Sequence, residues 1–332
     1  MIKIGFGLLG IGSVMETAGY FKLAEDLGLE YGWGADQTFS PSIYSLLTLS
    51  AHLTKHIKLG TSVTNPYSRH PVIHATSGAA IDELSGGRFI LGLGAGEKSA
   101  IESLGIERPK TKQMLRESVE IIRRLLKGEK VTYDGELLSL SNVKLMFQPR
   151  RVFPIYVGAR GPKTLQLAGE IGDGVLIDVC DPTEGKIAIA ETNKGIEKAG
   201  KKPGETEIIS AVSFAVDEDP EKAKNKVKWL AAVIAASVPQ EVLDRHDISL
   251  SQIRALKEHL GKKGTHDIEP LVTKEMLETF TLAGSPRQCV ARIETMERAG
   301  FSQIDLVIID TVHENIQHQI KLLAEKILPH VK

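Results

Sequence analysis

The segment from residue 158 to residue 163 combines the residue types that bind an anion such as phosphate. It reads Gly-Ala-Arg-Gly-Pro-Lys and lies between a predicted strand and a helix predicted over 164–171. Backbone N–H groups at a helix start are unpaired and lie at the positive end of the helix dipole, and glycines let an anion approach them closely. Arg160 and Lys163 add positive charge. The alternative interpretation is an ordinary glycine-rich turn.

Two carboxylates, Asp36 and Glu97, each lie just beyond a predicted strand. Asp36 follows the apolar run 30–35 and is not needed for packing. Glu97 ends the run Leu-Gly-Leu-Gly-Ala-Gly-Glu over 91–97, whose small residues would let a ligand approach the backbone. Each carboxylate also has a structural interpretation. Asp36 could cap a turn or helix, and Glu97 could be a charge favoured at a helix N-terminus.

Other chemical motifs are weak or missing in the sequence. The glycines in 92–96 depart from the dinucleotide-binding GxGxxG pattern because the third one comes a residue early. The histidines are scattered without metal-ligand spacing, and His70 is interpreted as structural. Cys180 and Cys289 lie far apart, and no GxSxG nucleophile motif occurs. A bound organic cofactor therefore best explains a chemically capable pocket.

Short apolar runs alternate with amphipathic helical patterns along the chain. Eight such runs favour a closed (β/α)8 TIM barrel over a doubly wound sheet. In such a barrel, ligands bind at the C-terminal ends of the strands, where the predicted anion loop and both carboxylates lie. The predicted strands cover residues 2–9, 30–35, 57–64, 88–94, 154–159, 175–179, 207–216 and 303–309.

Two stretches exceed the simple alternation and are interpreted as insertions after strands 4 and 7. The first, about 106–150, holds a predicted helix over 112–126 and a hairpin over 131–140 that turns at Asp134-Gly135. The second, about 220–280, is a helical run too long for one crossover helix. Barrel enzymes carry active-site walls and lids in such insertions. We expect one domain over residues 1–332.

The amino-acid composition argues against some classes of binding partner. The 332 residues include 41 Lys+Arg and 42 Asp+Glu, for a formal net charge of -1, so nucleic acid and anionic membranes are poor candidates. No apolar run reaches the length of a membrane span, and no targeting segment is recognisable. We therefore expect a cytoplasmic protein that acts on a small molecule.

Four segments resemble the bacterial luciferase-like superfamily. They are residues 58–71 (Lys-Leu-Gly-Thr-Ser-Val-Thr-Asn-Pro-Tyr-Ser-Arg-His-Pro), 84–97, 157–164 and 168–175. Over nearly its full length the chain is most similar to the coenzyme F420-dependent branch, in particular to the 5,10-methylenetetrahydromethanopterin reductases. The phosphate-loop motif is common to the superfamily, whereas Asn-Pro-Tyr-Ser-Arg-His-Pro is narrower.

This resemblance implies a (β/α)8 barrel, usually dimeric, that binds the deazaflavin F420 near the strand ends. It implies a non-prolyl cis peptide at Ser62–Val63 that supports the deazaflavin ring, with Asn65 in contact with the cofactor and Asp36 beside the ring. Glu97 matches an acidic position that serves as proton donor or substrate contact. The residues that would line the phosphate site are Gly158, Ala159, Gly161 and Pro162.

One residue departs from the reductase pattern. Leu9 stands where the reductases carry a glutamate that is thought to assist proton transfer, and leucine cannot donate a proton. Either Glu97 or Asp36 takes that role on a tetrahydropterin, or the substrate differs. Two other functions remain open: an FMN-dependent luciferase-like monooxygenase, and a cofactor carrier without catalysis.

Overall fold

The computed structural model describes residues 2–9, 12–202, 204–310 and 312–331. Its strands are β1 (Lys3–Leu8), β2 (Tyr31–Gly34), β3 (Lys58–Thr61), β4 (Phe89–Leu93), β5 (Val131–Asp134), β6 (Ser139–Val143), β7 (Ile155–Ala159), β8 (Gly174–Ile177), β9 (Glu207–Val216), β10 (Leu282–Gly284) and β11 (Gln303–Ile308). Its α-helices are α1 (Val14–Asp26), α2 (Ile43–Leu53), α3 (Pro71–Leu84), α4 (Lys98–Glu102), α5 (Thr111–Leu126), α6 (Pro162–Ile171), α7 (Pro182–Lys198), α8 (Pro220–Ser237), α9 (Gln240–Arg245), α10 (Leu250–Lys263), α11 (Lys274–Phe280), α12 (Pro286–Ala299), α13 (His313–Leu322) and α14 (Leu328–Val331).

The strand order confirms the predicted (β/α)8 barrel. Hydrogen-bonded neighbours follow the order β10-β9-β11-β1-β2-β3-β4-β7-β8, and a further pairing of β9 with β8 closes eight strands into a ring. Consecutive strands in this ring run parallel wherever their register is defined, from β1–β2 to β7–β8. The carboxyl ends of parallel strands lie at the same end of the barrel, where the predicted site residues follow them.

The chain divides into two compact units. The larger unit comprises residues 5–178 and 188–209, and the smaller one comprises residues 1–4, 179–187 and 210–332. Strands β1 and β9 are each divided between the units, because the boundaries fall inside them. Every predicted site residue belongs to the larger unit. The expectation of a single domain over the whole chain stays a prediction.

An apolar cluster within the larger unit explains why its strands consist of almost uninterrupted hydrophobic residues. Strands that are covered on both faces bury nearly every side chain. Gly60 makes room in this cluster for the Trp33 ring, because an added Cβ there would lie 2.2 Å from Trp33 Cζ3. Val63, just beyond β3, packs against the cluster. The buried members are Tyr31, Trp33, Ile90, Tyr156, Leu176 and Ile209.

The eight predicted barrel strands are confirmed, with one informative difference in length. The strand predicted over 57–64 ends at Thr61, because Ser62 and Val63 bulge out of the sheet. Thr64 then returns and forms an isolated bridge with Leu93. The sequence missed β10, a three-residue strand that pairs with the end of β9.

The predicted hairpin exists, but its turn was wrongly assigned to Asp134-Gly135. Asp134 pairs with Ser139 as the last residue of β5, and a four-residue loop follows, closed by a bond from Gly135 N to Leu138 O (2.9 Å). The buried Glu117 carboxylate, on α5, accepts hydrogen bonds from the backbone N–H groups of residues 136–138. These hydrogen bonds from a residue distant in sequence stabilise the loop, so it does not depend on the special turn residues that a two-residue hairpin loop needs.

The second insertion is helical, as predicted. Residues 220–280 form α8, α9, α10, a 3-10 turn (Glu269–Leu271) and α11. They have an apolar core of their own, which includes Ile253, Leu256, Ile268 and Met276. Among the described residues, no helix is both long and apolar enough to cross a membrane.

Candidate functional site

A bulge after β3 brings three strand ends together. The peptide bond between Ser62 and Val63 is cis, as the sequence resemblance implied. The Val63 side chain lies between two glycines at the ends of neighbouring strands. A Cβ added at Gly94 would lie 2.4 Å from Val63 Cγ2, and one added at Gly158 would lie 3.0 Å from Val63 Cγ1. The ends of β3, β4 and β7 therefore meet around one apolar side chain.

Asn65 is buried at the mouth of the barrel, with its amide oxygen already occupied. Its Oδ1 accepts hydrogen bonds from the backbone N–H groups of Tyr67 (3.1 Å) and Ser68 (2.9 Å). An added Cβ at Gly96 would lie 3.0 Å from Asn65 Cβ and Cγ, so the side chain is closely packed. Among the described residues, Asn65 Nδ2 has no acceptor. This nitrogen is a fixed donor that a ligand can use.

Asp36 lies two residues beyond β2 and joins that strand end to the loop after β3. Its side chain is only 3% exposed. Thr64 Oγ1 donates to Asp36 Oδ2 (2.6 Å), Arg69 Nη2 donates to Oδ1 (3.2 Å), and Arg69 Nη1 forms an ion pair with the carboxylate. Both carboxylate oxygens are engaged. This geometry favours holding the 64–69 loop in place over moving a proton.

A buried histidine that the sequence analysis did not single out contacts the same loop. His74, on α3, donates from Nε2 to the Asn65 carbonyl oxygen (2.9 Å), so its Nδ1 accepts the hydroxyl proton of Tyr44 (2.5 Å). Burial lowers the pKa of His74 to about 4 and raises that of Tyr44. At neutral pH the imidazole is therefore uncharged, with its proton on Nε2.

Glu97 has the local role that its structural interpretation predicted. It is the N-cap of α4: Oε1 accepts from Ser99 N (3.1 Å), and Oε2 accepts from Ala100 N (2.6 Å) and Ser99 Oγ (2.7 Å). Partial burial alone would raise the pKa of Glu97, but these hydrogen bonds and the charge of Arg108 lower it overall. The side chain is exposed and ionised at neutral pH, one residue from the glycine that packs on Asn65.

The loop over 158–163 leaves β7 and opens α6, as predicted. Gly161 is the N-cap with φ +72°, and an added Cβ there would meet nothing within 4 Å. Pro162 has no N–H to leave unpaired, and the backbone N–H of Lys163 has no acceptor among the described residues. Arg160 forms an ion pair with Asp178, which follows β8. The loop is open and offers amide donors, which suits an anion.

The structure thus brings most predicted residues together and adds others. Val63 contacts Gly94 and Gly158, while Asn65 contacts Gly96, which precedes Glu97. His70 is exposed and caps α3 by accepting from Val72 N (3.2 Å), in keeping with its structural interpretation. Among the described residues, no group of His, Cys, Asp and Glu could hold a metal ion. The sequence analysis included Thr64 and Arg69 in the segment after the third strand without giving them a role, and it did not single out Tyr44 or His74.

One signal could have identified His74. It lies four residues after His70 on α3 and shares a helix face with the buried Ala75 and Gly78, directly downstream of the Asn-Pro-Tyr-Ser-Arg-His-Pro segment. A polar residue on the apolar face of a helix needs a hydrogen-bonding partner, and the nearest polar segment is that loop.

Comparisons with known proteins match this chain over nearly its whole length. The sequence profile of the luciferase-like monooxygenase family matches residues 5–303. The chain is 38% identical to the 5,10-methylenetetrahydromethanopterin reductase of Archaeoglobus fulgidus over 100% of both chains. It is 39% identical to that of Methanolobus tindarius over 95% of this chain and 96% of the other. The solved coenzyme F420 dependent tetrahydromethanopterin reductase from Methanopyrus kandleri superposes with a TM-score of 0.92 at 32% identity, covering 100% of this chain and 99% of that one.

The depressed pKa of His74 predicts a loss of stability in mild acid. In the unfolded chain this histidine titrates near its ordinary value of 6.5, whereas in the folded chain its pKa is about 4. Between these values the unfolded chain binds a proton that the folded chain does not. The free energy of unfolding should therefore fall with decreasing pH, and His74 should account for up to about 3 kcal/mol of this fall.

Urea denaturation of wild type and His74→Gln at several pH values between about 7 and 5 measures this contribution. The variant should lose less stability on acidification than the wild type. Ser50→Ala is the control: it removes a buried hydroxyl of α2 that bonds Leu46 O (2.9 Å), and it should keep the wild-type pH dependence. A wild-type pH dependence in His74→Gln would contradict the assignment.

Proposed function

Because the chain belongs to the luciferase-like monooxygenase family, we propose that it is an oxidoreductase that uses coenzyme F420. The observation that carries the proposal is the full-length likeness to the methylenetetrahydromethanopterin reductases, which includes a TM-score of 0.92 to the F420-dependent enzyme of Methanopyrus kandleri. The proposed reaction passes a hydride between the deazaflavin and a carbon of a small substrate.

The residues at the mouth of the barrel fit a phosphorylated deazaflavin. Val63 offers an apolar surface for a planar ring, and the unpaired amide nitrogen of Asn65 offers a hydrogen bond to the ring edge. Gly161 leaves open space at the start of α6, where the Lys163 amide is free to bind a phosphate oxygen. Gly158, Ala159 and Pro162 complete this cradle.

Coenzyme F420, when bound, supplies or accepts the hydride, and the chain supplies position and proton control. Hydride transfer depends on orientation and on exclusion of water, so the packed bulge at Val63 acts as a rigid support. Ser62 shares that support through the cis peptide. Asp36 holds the 64–69 loop through Arg69 and Thr64, and in this way acts on the cofactor site.

Glu97 is the proposed proton-handling group. The Asp36 side chain is buried and Leu9 has no proton to give. Glu97 also accepts hydrogen bonds at both carboxylate oxygens, but it is exposed to solvent beside the site. Since its pKa is lowered, Glu97 is a carboxylate at neutral pH. It therefore accepts a proton when the substrate is oxidised, and it must first take up a proton from solvent when the substrate is reduced.

The proposed substrate is 5,10-methylenetetrahydromethanopterin, as in the reductases that resemble this chain. We further propose that the chain forms a homodimer in the cytoplasm and folds as one domain with insertions near 106–150 and 220–280. The support is the family resemblance, and sedimentation velocity of the purified protein measures the oligomeric state.

Anaerobic assays with F420 test the function. We expect the purified protein to oxidise reduced F420 only when methylenetetrahydromethanopterin is present, as followed by the absorbance of the oxidised deazaflavin. A parallel assay with reduced FMN and oxygen should show no substrate-dependent oxygen uptake. Exclusive binding of FMN would overturn the proposal in favour of a monooxygenase. Tight F420 binding without turnover of any pterin would indicate a cofactor carrier.

Gly161→Ala tests the phosphate cradle. An alanine at φ +72° is strained by about 1 kcal/mol, and its methyl group would occupy the open cradle. We expect the dissociation constant for F420, titrated by deazaflavin fluorescence, to rise about tenfold. Gly86→Ala is the matched control, because Gly86 has φ +69°, open space and a position before β4. Equal F420 affinities in the two variants would remove the cradle from the proposal.

Glu97→Gln tests proton handling. The amide keeps one acceptor oxygen for the N-cap of α4 but cannot exchange the proton, so kcat should fall about 100-fold. The dissociation constant for F420 should stay within about twofold of wild type. Glu102→Gln, which changes an exposed carboxylate at the other end of α4, should keep the wild-type kcat. Unchanged turnover in Glu97→Gln would remove Glu97 from the mechanism.

A further inference from the structure

Two buried polar side chains form a hydrogen-bonded network with the loop that carries Asn65. Tyr44 on α2 donates its hydroxyl to His74 Nδ1 (2.5 Å), and His74 Nε2 donates to the Asn65 carbonyl (2.9 Å). His74 is 0% exposed and Tyr44 is 8% exposed. Neither side chain reaches the open side of the site, and the mechanism above uses neither of them.

We propose that His74 is a positioning residue that sets the orientation of the Asn65 amide toward the coenzyme. This inference rests on the proposed F420 function. His74 acts through the main chain: it fixes the direction of the Asn65 carbonyl and therefore the peptide plane from which the loop starts.

The hydrogen bonds around Asn65 allow only one orientation of its side-chain amide. The carbonyl oxygen is held by His74, and Oδ1 is held by the amides of Tyr67 and Ser68. Gly96 lies next to the side-chain carbons, and the two hydrogen bonds to Oδ1 oppose rotation about χ1 and χ2. With both oxygens held, only Nδ2 is available to a ligand. Without the hydrogen bond from His74, the peptide plane at the Asn65 carbonyl can rotate. Nδ2 then no longer has a fixed direction.

Tyr44 connects this hydrogen-bonded network to the ion pair of Arg69 and Asp36 at the end of β2. The Arg69 guanidinium lies over the Tyr44 ring, 5.8 Å from the ring centroid, and Arg69 is also the ion-pair partner of Asp36. The loop over 64–69 is therefore held from one side by a salt bridge and from the other by a neutral imidazole. Removing a buried partner leaves an unsatisfied group, which gives the network its rigidity.

Three variants test the inference: His74→Ala, His74→Gln and Tyr44→Phe. His74→Ala should raise the KM and the dissociation constant for F420 about tenfold. Because the reacting groups are untouched, kcat at saturating F420 and the KM for the pterin should stay within about twofold of wild type. His74→Gln keeps an amide N–H at similar reach and should restore most of the affinity. Tyr44→Phe, which removes only the bond to Nδ1, should give an intermediate loss.

The control is Ser50→Ala on α2, which costs a buried hydrogen bond away from the loop and should leave the F420 KM unchanged. The absorption spectrum of bound F420 should shift in His74→Ala and return to the wild-type form in His74→Gln. The inference is overturned if His74→Ala and Ser50→Ala have the same F420 affinity, or if Gln restores nothing. If His74→Ala does not fold, the comparison of His74→Gln and Tyr44→Phe with wild type decides. Failure of the wild type to bind F420 would instead overturn the proposed function.

Discussion

The contact of Val63 with Gly94 and Gly158 is the constraint on which the site depends. At Gly94 an added Cβ would lie 2.4 Å from Val63 Cγ2, a separation that real Cβ atoms do not tolerate. Gly94 is therefore required by the bulge, and a side chain at Gly158 would press against Val63 as well. The bulge is supported by the apolar cluster inside the barrel. Because three strand ends are locked together in this way, the loops that follow them have defined starting points.

The polar residues around this apolar contact are nearly all satisfied by one another. Asp36 is paired with Arg69 and Thr64, and the carbonyl and Oδ1 of Asn65 have protein donors. A buried polar group without a partner costs free energy, so such a network selects one arrangement of the loop. Among the described residues, Asn65 Nδ2 and the Lys163 amide are two donors without an acceptor at the mouth of the barrel, where the proposed cofactor would use them.

The barrel could be predicted from the sequence because its strands are short apolar runs separated by helical patterns, a local signal. Predictions from local sequence patterns were wrong or incomplete where a residue far away in the sequence determines the local structure. The hairpin loop after Asp134 is set by Glu117 on α5, and β10 is a strand only because it pairs with β9. The hydrogen-bonding partners of the predicted site residues could not be identified from the sequence for the same reason. Asp36 and Arg69 are 33 residues apart, and spacing alone could not separate a turn cap from an ion pair.

Leu9, at the end of β1, limits which residue can handle the proton in the proposed chemistry. Leu9 is half-buried and apolar, so its side chain cannot supply the proton. Asp36 is buried, and both of its oxygens are bound by Arg69 and Thr64. Glu97, in contrast, is exposed to solvent at the start of a helix of only five residues. In the proposed reaction, the proton is therefore exchanged with solvent at the start of α4, and the hydride passes next to the apolar support at Val63.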